Sequence, residues 1–230
     1  PLEQYGVSIV NVGSTAFLRY SRIFLRKDGS TIGIPVAVVT DCDVRPDEVQ
    51  YDGSEKEKLN NVIKKKKAKY QMGSIHAFVS PIWTFEYCIA LSCLNDEFHK
   101  AIHYGKKILH SDKISLTNEK IIEAEQEAAD EDKKWAKLSA PKKAYEMFNT
   151  MLWSNGKSPL KAIVAQCLAS MLKWDISDIP HKEKMFDLDL YCYRVDEEQR
   201  DQLRKKIEND PYLKYIVDAV KYATGVVKEE

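Results

Sequence analysis

The 230-residue sequence lacks the features that mark several common classes of protein. Its 35 basic residues balance its 35 acidic residues, so no net charge attracts nucleic acid, and binding to DNA must depend on local patches. No apolar run approaches the roughly 18 to 20 residues of a membrane helix, and the first residues show no basic-then-apolar signal. We therefore predict a cytoplasmic protein that does not enter a membrane.

Motifs for several common chemistries are also missing. The five cysteines, at positions 42, 88, 93, 167 and 192, form no CxxC pair and no zinc-binding spacing. Their odd number and apolar surroundings predict free thiols in a reducing compartment. The sequence contains no GxxxxGK[ST] or GxGxxG, which excludes binding of ATP or a dinucleotide by those routes, and no HExxH or GxSxG.

The N-terminal third of the chain alternates between strand and helix patterns. Residues 7–13 (VSIVNVG) and 34–43 (IPVAVVTDCD) are typical of strands, and residues 14–27 between them have the apolar spacing of a helix. Continuous Val/Ile strands in such β-α-β order belong to parallel sheets, whose sites gather at the carboxyl ends of the strands. The second strand ends in Asp41 and Asp43, which strand alternation would place on one face. Two such acids repel one another unless a cation lies between them, and a metal ion would meet this requirement.

The remainder of the chain is mainly helical. Residues 54–71 form a helix whose lysine run, 64–67, we interpret as a solvated face in preference to a phosphate-binding patch; residues 74–80 form a strand. Further helices are predicted over 83–94, 117–138, 158–174, 196–210 and 211–225, the last ending at Gly225. The helix over 117–138 is highly charged, and we assign it no chemistry.

Three further groups of residues are functional candidates. His99 and His103 could share a helix face and bind a metal, but the sequence shows no adjacent acid or thiol, which favours a structural role. A second acid pair, Asp187 and Asp189, fits a solvated face or a helix start. Lys161 lies in the first turn of its helix, where the dipole disfavours a cation unless solvent, carboxylates or a phosphate compensate.

Four segments in order carry a resemblance to a known family. NVGSTAFLRY, IPVAVVTDCD, FVSPIWTFEYCIAL and LKAIVAQCLA together resemble the Toprim region of the OLD (overcoming lysogenization defect) nucleases, including the nuclease subunit of the Gabija anti-phage system. The resemblance extends over about residues 7 to 225. It implies an α/β fold: a Toprim-like parallel sheet, incomplete at its N-terminus, with a helical insertion and a helical C-terminal part.

The resemblance also implies a site and a reaction. Asp41, Asp43 and Glu86 would bind Mg²⁺ or Mn²⁺, with Glu86 also catalytic, and Lys161 would meet the anionic transition state of phosphodiester hydrolysis in duplex DNA. The implied partners are duplex DNA, an N-terminal ATPase domain through which alone ATP would bind, a second copy of the chain and a helicase-like subunit. The expected activity is a Mg²⁺- or Mn²⁺-dependent endonuclease in anti-phage defence.

The start of the chain departs from the family pattern. Glu3 lacks the E-G-x-x-E setting of the first Toprim strand, and the chain begins with Pro1, so we interpret it as the carboxyl-terminal piece of a longer nuclease. We divide it into a Toprim core at 1–95 with an insertion near 54–72, a charged arm at 96–140, and a helical part at 141–230. Two alternatives stay open: another Toprim-like phosphotransfer enzyme, and a non-catalytic assembly module with a vestigial site.

Overall fold

A computed structural model describes residues 2–13, 17–24, 32–47, 54–110, 116–152, 160–172 and 197–225. These residues form a mixed α/β structure that is mostly helical, with a small two-stranded parallel sheet. This confirms the predicted fold class of an incomplete Toprim-like sheet with helices. The chain divides into two compact units, which we call the first unit (Pro1–Cys88 with Glu208–Glu230) and the second unit (Ile89–Ile207).

The sheet lies in the first unit. Strands β1 (Val36–Thr40) and β2 (Ile75–Val79) pair in parallel, with Val36 opposite Ile75 and Thr40 opposite Val79. The connection between them includes helix α2 (Ser54–Tyr70), which packs against β2. Every second residue of β2 is buried, as expected for a strand with one face on a core.

The core of the sheet draws on segments that are distant in the sequence. Tyr70, at the end of α2, packs with buried residues of both strands, and Phe17 of the short helix α1 (Phe17–Ser21) meets its ring edge-on. Helix α9 (Lys214–Ala223) contacts both strands, and Tyr222 on this helix stacks on His76 while its hydroxyl donates to the Ser74 carbonyl. The C-terminal end of the chain is therefore part of the sheet unit.

The N-terminal strand prediction is wrong. Residues 7–12 have no regular structure and no strand partner in the described part of the chain, and Ile9 and Val10 are 82% and 71% exposed. A strand pattern becomes a strand only where a neighbour accepts its hydrogen bonds. The first described element is a 3-10 helix, Leu2–Tyr5, and a second, Arg22–Phe24, directly follows α1.

The second unit is helical. Helix α4 (Asn95–Leu109) contacts α5 (Asn118–Trp135), α6 (Ala140–Met151) and α7 (Leu160–Leu172). The chain passes between the units within α3 (Phe85–Leu91) and α8 (Glu197–Asn209). Packing leaves no room for a side chain at Gly105 of α4, where a Cβ atom would lie 2.9 Å from Leu160 Cδ1 and 3.0 Å from Val164 Cγ2.

Most predicted helices are present with shorter bounds. The predicted stripe of α7 is buried at Leu160, Val164, Cys167 and Leu168, and Thr117 caps α5 by accepting from the Lys120 amide. The chain turns after α9 at Gly225, whose φ of 70° suits a residue without a side chain. Asp187, Asp189 and the start predicted for the 158–174 helix lie outside the described residues. Within the described part, no helix is long and apolar enough to cross a membrane.

Candidate metal centre at the carboxyl end of the sheet

The chain segments that follow β1 and β2 are joined by hydrogen bonds from main-chain amides. The Cys42 amide donates to Ser80 Oγ at 2.7 Å, and the Asp43 amide donates to the Trp83 carbonyl at 2.9 Å. Ser80 is completely buried, and its hydroxyl lies 3.3 Å from the Trp83 carbonyl. These bonds hold the acid-bearing loop against the segment that leads into α3.

The two aspartates do not share a face by strand alternation. Strand β1 ends at Thr40, so Asp41 and Asp43 lie in the following loop, and Asp43 has a φ of 64°. The left-handed backbone at Asp43 interrupts the strand geometry on which the alternation argument depended. Cys42 between them is buried, and burial raises the pKa of its thiol. The location beyond the carboxyl end of a parallel strand is as the sequence predicted.

A hydrogen bond to Asp41 connects the loop after β1 to Phe85, the residue before Glu86. The Oδ1 atom of Asp41 accepts a hydrogen bond from the Phe85 amide at 2.9 Å, and Glu86 is the second residue of α3. Two of the predicted acids, which are 45 positions apart in the sequence, are thereby brought to the same end of the sheet.

An ammonium group already lies at the aspartates. Lys66 of α2 donates to the Asp43 carboxylate and, at 2.9 Å, to the Asp41 carbonyl. Its side chain is only 25% exposed, whereas Lys64, Lys65 and Lys67 are exposed. The interpretation of this run as a solvated face is therefore wrong at Lys66. The lysine run was the signal in the sequence, but its spacing did not indicate which lysine turns inward.

The first 43 residues match a family model, the TOPRIM domain of overcoming lysogenization defect protein-like proteins. The match supports a Toprim region like that of the OLD family in this part of the chain. The match ends at Asp43, the second acid of the loop after β1. It names no branch of the family, so the Gabija likeness stays a prediction. Neither the curated proteins nor the solved structures include a match to the chain.

Tyr215 is a buried residue of the first unit that the sequence did not single out. Its side chain is buried, and its hydroxyl has no hydrogen-bond partner among the described residues. Burial raises the pKa of this hydroxyl, and the charges of Cys88, Asp41 and Glu86 act in the same direction. No motif surrounds Tyr215, so only the fold places it here.

The three predicted ligands, Asp41, Asp43 and Glu86, which we call the Toprim acids, have the side-chain chemistry that a hard divalent cation requires. Carboxylate oxygens are the ligands that Mg²⁺ and Mn²⁺ prefer, and Lys66 shows that Asp43 already attracts a cation. The three carboxylates are not gathered as one compact cluster. Among the described residues, only His99, His103 and Glu131 have ligand atoms within 4.8 Å of one another. A compact cluster of three unneutralised carboxylates would be opposed by their mutual repulsion.

Lys161 lies in the second unit, as the second residue of α7. Its Nζ is 5.1 Å from the centroid of the Phe148 ring, a cation–π contact that helps to compensate for its half-buried position. The sequence predicted that solvent, carboxylates or a phosphate would compensate for the helix dipole at Lys161, and it did not predict the contact with an aromatic ring. Its role toward DNA stays a prediction.

The structure changes the interpretation of His99 and His103. The missing acid is supplied by α5, the charged helix to which the sequence assigned no chemistry: Glu131 Oε2 lies 3.2 Å from His99 Nε2 and 3.1 Å from His103 Nε2. The acid is 28 positions from His103, so no local motif could show it.

Proposed function

We propose that this chain is the C-terminal segment of a Mg²⁺- or Mn²⁺-dependent DNA endonuclease acting in anti-phage defence. The main support is the hydrogen bond from Phe85 to Asp41, which joins the acid-bearing loop of a Toprim region to the helix that carries Glu86. Toprim modules occur in nucleases and primases, which both act on nucleic acid with divalent metals. The endonuclease is the finer proposal.

In this proposal, Asp41, Asp43 and Glu86 hold the metal. Divalent ions bound there would neutralise charge on a phosphodiester and lower the pKa of an attacking water. The Phe85 amide donates to Asp41 Oδ1 and thereby orients the carboxylate that would hold the metal. Asp43 is 63% exposed, so a metal and its water ligands can reach it once Lys66 moves aside.

Two lysines have different roles in this proposal. Lys66 holds Asp43 while no metal is bound and then becomes available to a phosphate oxygen. Lys161 would meet the charge that develops on the phosphoryl group, as the family resemblance implies. The proposed partners are duplex DNA, an N-terminal ATPase domain, a second copy of the chain and a helicase-like subunit.

Metal binding is the first test, because it does not require catalysis by this segment. We expect Mn²⁺, titrated into the 230-residue chain by calorimetry, to bind at a site that Asp41→Asn and Glu86→Gln weaken. Asp47→Asn is the matched control, because Asp47 is exposed and pairs with Arg45. Equal Mn²⁺ affinity in all four proteins would remove the proposed centre.

Cleavage is the second test. We expect nicking or linearisation of supercoiled plasmid with Mg²⁺ or Mn²⁺, carried out by the chain within its full-length protein and lost in Asp41→Asn. Incorporation of nucleotides on a primed template would favour a primase-like enzyme. Cleavage that persists in Asp41→Asn would favour the assembly module with a vestigial site.

A further inference from the structure

A buried group of two histidines and three acids lies between α4 and α5 in the second unit. Both Nε2 atoms approach the same oxygen, Glu131 Oε2, at 3.2 Å from His99 and 3.1 Å from His103. The other nitrogens also face acids: His99 Nδ1 is 3.4 Å from Asp132 Oδ1, and His103 Nδ1 is 3.3 Å from Glu127 Oε2. All four ring nitrogens therefore face a carboxylate oxygen.

Four such contacts exceed the protons of two neutral rings. A neutral imidazole has one N–H donor and one lone pair, so two neutral rings can donate in only two of these four contacts. In the other two contacts a lone pair would face an anion. His99 Nδ1 shows the mismatch directly, because it is buried and makes no hydrogen bond.

Burial makes this mismatch costly. The side chains of His99 and His103 are 1% and 2% exposed, and the Trp135 ring stacks on His99 with centroids 5.0 Å apart. An unsatisfied polar contact at such buried positions carries a large penalty. A cation between the two Nε2 atoms and Glu131 would remove it.

We propose that His99, His103 and Glu131 bind a Zn²⁺ ion. The Nδ1–H groups of the two rings would then donate to Asp132 and Glu127, the arrangement in which an outer carboxylate orients a metal-ligating histidine. Bonds of about 2.0–2.1 Å in a tetrahedron place neighbouring ligand atoms about 3.3 Å apart. The two observed nitrogen–oxygen distances, 3.2 and 3.1 Å, are close to this spacing.

The donor set distinguishes this site from the Toprim acids. Imidazole nitrogens suit Zn²⁺, whereas Mg²⁺ prefers oxygen ligands and retains its waters. A surface cleft lined by Asp96, Lys100, Glu125 and Asp132 reaches His99 and offers a route for the ion. The bound ion would connect α4 to α5, so its binding energy would stabilise the folded second unit.

The direct test is the metal content of the chain. We expect one equivalent of zinc by mass spectrometry after loading with Zn²⁺ and dialysis against excess Mg²⁺, which competes at the oxygen site only. Glu131→Gln and His103→Gln should lose this equivalent. Glu123→Gln should retain it, because Glu123 is on the same helix and pairs with Lys107 but touches neither histidine.

Two further measurements keep the test independent of folding and of nuclease activity. Circular dichroism must show native helix content in Glu131→Gln, and Glu127→Gln should bind Zn²⁺ about 10–100-fold more weakly while remaining folded. Substitution with Co²⁺ should give the visible absorption of a tetrahedral site in wild type and none in Glu131→Gln. Absence of zinc from wild type, or an unchanged equivalent in folded Glu131→Gln, would overturn the proposal.

Discussion

The two candidate metal sites contrast in their donors and in their burial. At the Toprim loop, the ligands are carboxylates, Asp43 is 63% exposed, and an ammonium group occupies the position of a cation. In the second unit, two imidazoles with 1% and 2% exposed side chains converge on one glutamate. The first arrangement suits an exchangeable hard ion with bound waters, and the second suits Zn²⁺ held by three protein ligands.

The contrast shows that a site that is easy to recognise in the sequence need not be the one whose ligands are better assembled in the fold. The Toprim acids stand out because two are one residue apart after a strand pattern. The histidine site is geometrically more complete, but its third ligand comes from another helix. A short motif and an assembled set of ligands are therefore different kinds of evidence.

The largest effect is expected when one proposed ligand is removed from either metal site by mutation. Asp43→Asn should weaken Mn²⁺ binding more than about 100-fold, beyond the usual cost of an outer-sphere change, and should leave the zinc equivalent intact. His103→Gln should produce the reverse pattern. Calorimetry with Mn²⁺ and metal analysis for zinc measure the two effects, and loss of both metals from either variant would show that the sites are not independent.

Each unit contains a buried thiol that should make the free energy of unfolding depend on pH. Burial raises the pKa of Cys88 in the first unit and of Cys167 in the second to about 12, from a reference value of 9.0. The unfolded chain ionises these thiols first, so the free energy of unfolding should be unaffected below pH 9 and should fall above it. The expected slope is about 1.4 kcal/mol per pH unit for each thiol, until the folded pKa is reached.

Urea unfolding between pH 8 and pH 10.5 measures this slope. Cys88→Ala and Cys167→Ala should each remove the contribution of one thiol above pH 9. An unchanged slope in both variants would mean that other groups carry the alkaline instability.

Packing at Gly105 tests the rigidity of the second unit. Gly105→Ala should lower the free energy of unfolding by about 1 kcal/mol, because overpacking costs about 1–3 kcal/mol and exceeds the helix-propensity gain of about 1 kcal/mol. The added methyl group would meet buried atoms of Leu160 and Val164. In a double-mutant cycle, Val164→Ala should cost less beside Gly105→Ala than alone; strict additivity would argue against the contact.

The smallest effect concerns Lys66. Lys66→Gln should raise Mn²⁺ affinity about 2–5-fold at low salt, because a largely exposed ion pair is worth about 0.2–1 kcal/mol and the ammonium competes for Asp43. Lys64→Gln is the matched control on the exposed part of the same helix. Weaker Mn²⁺ binding in Lys66→Gln would show that the lysine organises the site and does not compete for it.

Local patterns predicted the regular elements well where a neighbour was available. Strand β2, the charged helix α5 and the buried stripe of α7 all lie within their predicted ranges. The failure at residues 7–13 has a clear cause, because a strand needs a pairing partner and periodicity says nothing about one. Asp41 and Asp43 were expected as the last residues of the strand, at its carboxyl end; they lie at that end but in the loop after Thr40, where Asp43 has a left-handed backbone.

The sequence by itself determined the α/β class, strand β2, most of the helices after residue 54, the Toprim resemblance and the acid pair after β1, because these depend on near neighbours along the chain. The tertiary structure decided which lysine reaches Asp43, that Tyr222 of α9 stacks on His76, and that Glu131 joins His99 and His103. These contacts connect residues that are distant in the chain, and their formation depends on packing that periodicity cannot encode.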